Sequence, residues 1–127
     1  YMIKRNGEIY QLLPDTLFAR HVIGLNHAAI GIENVGTKNN RLTDAQLQAN
    51  IHLIRELTER HKIEYLIGHY EYTLFEEHSL WKEKDDGYRT EKVDPGKEFM
   101  LRLRKNLSDM GMNLKGPPET EVPLLAK

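Results

Sequence analysis

The sequence contains no cysteine. That excludes disulfides, a thiol nucleophile and any thiolate-held metal, and it leaves the redox compartment open. No stretch approaches the roughly 18 apolar residues of a membrane helix, so no membrane span is expected. Charge of one sign is also missing: 18 Lys and Arg stand against 19 Asp and Glu, a net charge of -1. Contact with a nucleic-acid backbone needs concentrated positive charge, so no nucleic-acid partner is expected. There is no glycine-rich phosphate loop, and Ser79 and Ser108 lack the setting of a nucleophile elbow. None of the six histidines has a partner four residues away, which excludes the helical zinc motif. What is present suits one globular domain: 127 residues, of which 39% are hydrophobic and 29% charged, enough for a single core.

The chain starts apolar, at Tyr1-Met2-Ile3, as though inside a strand. A fragment of a longer protein is the favoured explanation over a processed mature chain. Residues Tyr1 to Leu13 form the pattern of a β-hairpin around Asn6-Gly7, a dipeptide suited to positive φ. Ala28 to Glu33 is the candidate central strand. Ile30 and Ile32 share one face, while Ala29, Gly31 and Glu33 share the other, where small residues clear space beside one carboxylate. Residues 34–41 are polar and form a loop.

Leu42 to His61 has the signature of a helix. Thr43 and Gln46 make a capping box, Leu42 and Leu47 a staple, and Ala45, Leu47, Ile51, Ile54 and Leu57 an apolar stripe. Tyr65-Leu66-Ile67 is a short strand bounded by Gly68. Residues 70–93 are a long ordered excursion, since their aromatic and apolar side chains need something to pack on. Asp94-Pro95-Gly96 opens a last helix with Asp94 as its expected cap. Phe99, Met100, Leu103 and Leu107 give that helix its stripe, and Gly111 its stop. The fold class is α/β: a mixed central sheet flanked by helices, with a domain over 1–112 and an extended tail or linker over 113–127.

Four residues are candidates for chemistry, each with a structural alternative. Glu33 lies on the open face of its strand, where a carboxylate is either used or bonded to a loop amide. His69 follows a strand end, where open α/β sheets place ligands, or it is a structural histidine bonded to Glu71. Asp94 is a metal ligand or a helix cap. Lys92 points the same way as Asp94 if the segment is extended, or it is solvated surface. Arg102, Arg104 and Lys105 are expected on the solvated face of the last helix.

Taken together these residues resemble the zinc-dependent N-acetylmuramoyl-L-alanine amidases of the amidase-2 type, relatives of the peptidoglycan recognition proteins and phage amidase lysozymes. The resemblance rests on strings in order: Gly7-Glu8-Ile9-Tyr10-Gln11-Leu12, Asn26 followed by Ala29-Ile30-Gly31-Ile32-Glu33 and Gly36, Leu42-Thr43 with Gln46, Ile67-Gly68-His69, and Lys92-Val93-Asp94-Pro95-Gly96 with Phe99. It spans roughly residues 1 to 110. It implies the fold of that family and a Zn2+ cofactor, with His69 and Asp94 as metal ligands, Glu33 as general base and Lys92 steadying the oxyanion. The implied reaction is hydrolysis of the amide between N-acetylmuramic acid and L-alanine, in peptidoglycan or in muropeptides.

The sequence departs from the family in two places. The family's first zinc histidine belongs to a strand preceding the hairpin, and none of His21, His27, His52, His61 or His78 matches it. A two-ligand remnant would hold zinc weakly, so these 127 residues alone are expected to be inactive or nearly so. The second departure is the excursion between His69 and Asp94, expected to wall the substrate groove. Two alternatives remain: a non-catalytic peptidoglycan-binding domain, and an unrelated α/β domain in which Glu33, His69 and Asp94 are structural. The substrate points to the cell envelope or the exterior (the periplasm in a Gram-negative cell), with cytoplasmic muropeptide recycling as the other setting. Oligomeric state is left open.

Overall fold

A computed structural model describes residues 1–36 and 39–118 of the chain. Part of the polar loop expected over 34–41 and the end of the expected tail, 119–127, lie outside the described residues. A three-stranded sheet has the order β2-β1-β3, with β1 Met2–Ile3, β2 Ile9–Tyr10 and β3 Glu33–Asn34. It is mixed: β1 pairs antiparallel with β2 and parallel with β3, in the register Met2↔Tyr10 and Met2↔Glu33.

The hairpin turn forms at the expected place by a different device. Only Gly7 has positive φ, at 89°. Asn6 contributes its side chain, accepting the Glu8 N–H at 3.0 Å, an Asx-type bond that closes the turn. The expected central strand is also corrected. Ala28 lies in a turn, the strand is confined to Glu33–Asn34, and it flanks β1, which is central. Its register is set by β1: the Tyr1 amine donates to the Gly31 carbonyl, and the Tyr1 carbonyl accepts from the Glu33 N–H.

Helix α1, Asp44–Arg60, starts with the capping box of Thr43 and Gln46. Gln46 is fully buried because it does more than cap. Its amide donates to the Val35 carbonyl at 2.7 Å and its Oε1 accepts the Thr43 N–H at 2.9 Å. Asn50, also buried, donates to Asn34 Oδ1 at 2.7 Å. These bonds replace the water that buried amides lose and fix β3 on the helix.

The single apolar stripe expected for α1 becomes two faces, and Ala45 is exposed. Ala49, Leu53 and Leu57 pack with Ile3 of the sheet, while Leu47, Ile51 and Ile54 pack with Phe99, Met100, Leu103 and Leu107. Those last four belong to α2, Lys97–Asp109. Helix α1 is therefore the middle layer between sheet and α2.

Helix α2 ends at Gly111, where φ is 81°. The Met112 N–H reaches the Leu107 carbonyl and the Gly111 N–H that of Ser108, the paired bonds of a Schellman stop. Beyond it the chain is extended, and Lys115 forms a single parallel bridge with Tyr65. That bridge is all that remains of the expected strand at Tyr65-Leu66-Ile67. The excursion has a core of its own: Tyr72 and Phe75 bury against Val22 and Leu25, with Trp81 and Leu80 alongside.

Candidate active site

Each candidate side chain sits on a short irregular segment that a packed element holds. His69 opens the 3₁₀ helix His69–Phe75. The preceding turn is tied to α2 through Glu71. The Gly68 N–H donates to Glu71 Oε1 at 2.8 Å, and Arg104 donates to both oxygens of that carboxylate, at 2.6 Å and 3.3 Å. Arg104 also donates to the Leu66 carbonyl at 3.0 Å. Two expectations change here. Arg104 is a partner of a buried carboxylate and not part of a solvated face, and Glu71 bonds Arg104 and not His69.

Asp94 lies where the excursion returns. Its carbonyl accepts the Tyr70 N–H at 3.2 Å, so the backbones on either side of the excursion are bonded together. Asp94 is not the cap of α2. The cap position falls two residues later, at Gly96, whose φ of 98° suits glycine. The Asp94 side chain is instead free to meet the histidine, and Asp94 Oδ2 lies 3.3 Å from His69 Nδ1. The two side chains are thus close enough to share one metal ion, and close enough to bond each other.

Glu33 is exposed at the start of β3, and its carboxylate has no hydrogen-bond partner among the described residues. Its backbone is fixed by the Tyr1 carbonyl, and its neighbour Asn34 by Asn50. Lys92 is exposed two residues before Asp94. The His69 ring meets Tyr72 edge-on at 5.7 Å, and Tyr72 in turn stacks on Trp81 at 6.3 Å. The guanidinium of Arg89 covers Trp81 at 4.8 Å. A cavity of about 200 Å³ separates the excursion from the loop before β3, with Lys82 and Glu83 on one side and Phe18, Gly24, Asn26 and His27 on the other.

A family model described as N-acetylmuramoyl-L-alanine amidase, amidase-2, matches residues 1–97. The chain belongs to this family. No curated protein and no solved structure matches it. A small mixed α/β fold with a three-stranded sheet is compatible with amidase-2 membership, and the family points to amide hydrolysis in peptidoglycan. No helix among the described residues is long and apolar enough to cross a membrane.

Members of the amidase-2 family commonly bind zinc, and the donors here can be tested for it. Two ligands about 2.05 Å from a tetrahedral zinc ion are about 3.3 Å from each other. The His69–Asp94 separation of 3.3 Å is compatible with that spacing, and also with a long hydrogen bond between the two side chains. The donor types and their spacing are compatible with two corners of a zinc site. Among the described residues no third His, Asp or Glu joins them, so the set is incomplete.

One residue that the sequence reading set aside belongs to this region. His21 lies over Gly31, two residues before Glu33. A Cβ at Gly31 would come within 2.8 Å of His21 Nδ1. The space left by this glycine is thus filled by an imidazole. The available signal was the combination of Asn26 and Gly31, whose contacts to His21 only the folded loop reveals.

Proposed function

We propose that this amidase-2 chain carries the catalytic residues of a zinc-dependent N-acetylmuramoyl-L-alanine amidase, with His69 and Asp94 as two of three protein ligands. The resemblance puts the third, a histidine, on a strand ahead of the hairpin. The observation that carries this reading is the 3.3 Å approach of His69 Nδ1 to Asp94 Oδ2 in a chain that belongs to the family. When bound, zinc supplies a Lewis acid that polarises the amide carbonyl and acidifies water at neutral pH.

The remaining roles fall to the protein's own groups. Glu33, an exposed carboxylate on a strand fixed by α1, takes the proton of the attacking water and returns it to the alanine nitrogen as the C–N bond breaks. The Lys92 ammonium compensates negative charge on the carbonyl oxygen. The excursion and the loop before β3 wall the groove that receives the glycopeptide, a reading supported by the cavity between them. Such a substrate assigns the protein to the cell envelope or the exterior, with muropeptide recycling in the cytoplasm as the other setting.

The test is calorimetric titration with zinc, on this chain and on one extended upstream through one further strand, followed by a muropeptide cleavage assay. Tight one-to-one binding in the extended form, lost in His69→Ala and Asp94→Ala, with zinc-dependent release of the peptide, supports the assignment. Glu33→Gln should then bind zinc normally and cleave at least about a hundredfold more slowly. Absence of zinc binding in both forms overturns the enzymatic reading. Peptidoglycan binding without cleavage would favour a recognition domain.

A further inference from the structure

The hairpin turn between β1 and β2 carries a group that the mechanism above does not use. Asn6 is the one asparagine of the chain followed by glycine, and it is exposed. Any other residue in second place would shield its peptide nitrogen with a side chain, which Gly7 lacks. The Asn6 side chain is also folded back over that peptide. Its Oδ1 accepts the Glu8 N–H at 3.0 Å, and the ring closed by this bond contains both Asn6 Cγ and the Gly7 nitrogen. The Gly7 N–H itself donates to the Lys4 carbonyl at 2.8 Å. Exposed turn bonds of this kind open locally with little free energy.

We propose that Asn6 is a spontaneous modification site, where the Gly7 nitrogen closes on Asn6 Cγ and water completes a deamidation. The Gly7 N–H gives its proton to hydroxide as the N–Cγ bond forms, and the side-chain nitrogen leaves as ammonia. Negative charge passes through Oδ1 on the way, where the Glu8 N–H already donates, as in an oxyanion hole. Water then opens the cyclic imide at either carbonyl. One route gives aspartate, whose carboxylate still accepts the Glu8 N–H. The other gives isoaspartate, which adds one methylene to the main chain of the turn. The turn is too closely packed for that: a Cβ at Gly7 would lie 3.0 Å from the Ala45 carbonyl oxygen of α1. Next to it, the Arg5 carbonyl accepts the Thr43 hydroxyl that caps the same helix. Isoaspartate therefore loosens the start of α1, and aspartate does not. This inference is independent of the amidase reading.

The experiment ages the full chain in mildly alkaline ¹⁸O-labelled water and maps the modified residues by peptide mass spectrometry. Asn6 should be the first asparagine to exchange its side-chain nitrogen for ¹⁸O, giving two isomers that chromatography separates. In urea unfolding the isoaspartate fraction should show a folding equilibrium constant about fivefold smaller, the value of one lost cap. Asn6→Asp should stay near the parent. Glu8→Pro, which removes the N–H that bonds Oδ1, should slow the reaction of the folded chain about fivefold. Glu8→Ala, which keeps that N–H, should not slow it, and in urea all three chains should react alike. Loss of nitrogen from another asparagine before Asn6 would overturn the inference, as would a folded-state rate unmoved by Glu8→Pro. An isoaspartate fraction as stable as the parent would refute the effect on α1.

Discussion

Replacing Arg104 with alanine tests how His69 is held, and the structure sets the size of the effect. The Glu71 side chain is only 10% exposed and that of Arg104 31%. Without the guanidinium, the Glu71 carboxylate keeps one partner, the Gly68 N–H, and the Leu66 carbonyl loses its donor. Breaking a buried pair from one side typically costs about 3–5 kcal/mol, because the surviving charge is stranded. The partial exposure of Arg104 lets water reach the gap, so the lower end applies, about 3 kcal/mol. The opposite substitution, Glu71→Gln, is milder. Its amide oxygen still accepts from Gly68, and the guanidinium left behind can turn to solvent, so about 1–2 kcal/mol is expected. Urea unfolding with an unchanged m-value reads both. Should Arg104→Ala not fold, Arg104→Lys, which keeps the charge and loses the two-pronged bond, should fall between the parent and Glu71→Gln. A loss below about 1 kcal/mol for Arg104→Ala, or a larger loss for Glu71→Gln, would refute the view that a stranded carboxylate dominates.

Four further outcomes follow from other contacts. Gly24→Ala should cost about 2–4 kcal/mol and change the Trp81 fluorescence, since φ is 81° and a Cβ would lie 2.6 Å from that indole; an unaltered emission spectrum would count against it. Thr43→Ala should lose about 1–2 kcal/mol in the same unfolding assay, because the hydroxyl caps α1 and also donates to the Arg5 carbonyl. The Tyr1 hydroxyl, and then His61, hold the Asp15 carboxyl below its ordinary 3.8, so the folded state binds that proton less readily than the unfolded one. Stability from this group is present above pH 3.8 and lost as pH falls below it. Asp15→Asn should flatten that acid limb in urea midpoints taken from about pH 5 to about pH 3. Tyr72→Phe keeps the ring but removes a hydroxyl bonded to both the carbonyl and the N–H of Thr90. A loss of about 2 kcal/mol is expected, with weaker zinc binding in the extended chain; intact zinc affinity would show that this clamp does not govern the ligands.

What the sequence disclosed follows a physical line between local and distant causes. The cap of α1 and the stripe and stop of α2 depend on residues within one or two turns, and Thr43, Gln46, Phe99, Leu103 and Gly111 announce them. The second buried face of α1 depends on groups outside the helix: Ala49, Leu53 and Leu57 are buried by Ile3, and Gln46 and Asn50 by bonds to the Val35 carbonyl and the Asn34 side chain. The strand at Ala28–Glu33 was misplaced because alternation is blind to register, which the partner strand sets. In the site, the pairing of His69 with Asp94 was visible only through the resemblance. Asp-Pro-Gly alone argued for a cap, and the cap lies at Gly96. The bond from Arg104 to Glu71 and the seat of His21 on Gly31 join residues with no sequence periodicity between them.

A long insert between His69 and Asp94 would leave their separation to chance if it were flexible. It is tied at the neck. Tyr70 donates to the Asp94 carbonyl next to the site, and the Tyr72 hydroxyl bridges both backbone groups of Thr90 one step further out. These bonds close the insert off from His69 and Asp94, so its length adds loop-closure entropy without entering the ligand geometry. Glu71 and Arg104 then fix the same neck to α2 from the opposite side. The backbone that carries His69 and Asp94 is thus held by bonds of its own, and on the proposed reading that order need not be supplied by the ion. On the proposed reading, the excursion can vary as a groove wall because the neck, and not its tip, carries His69 and Asp94.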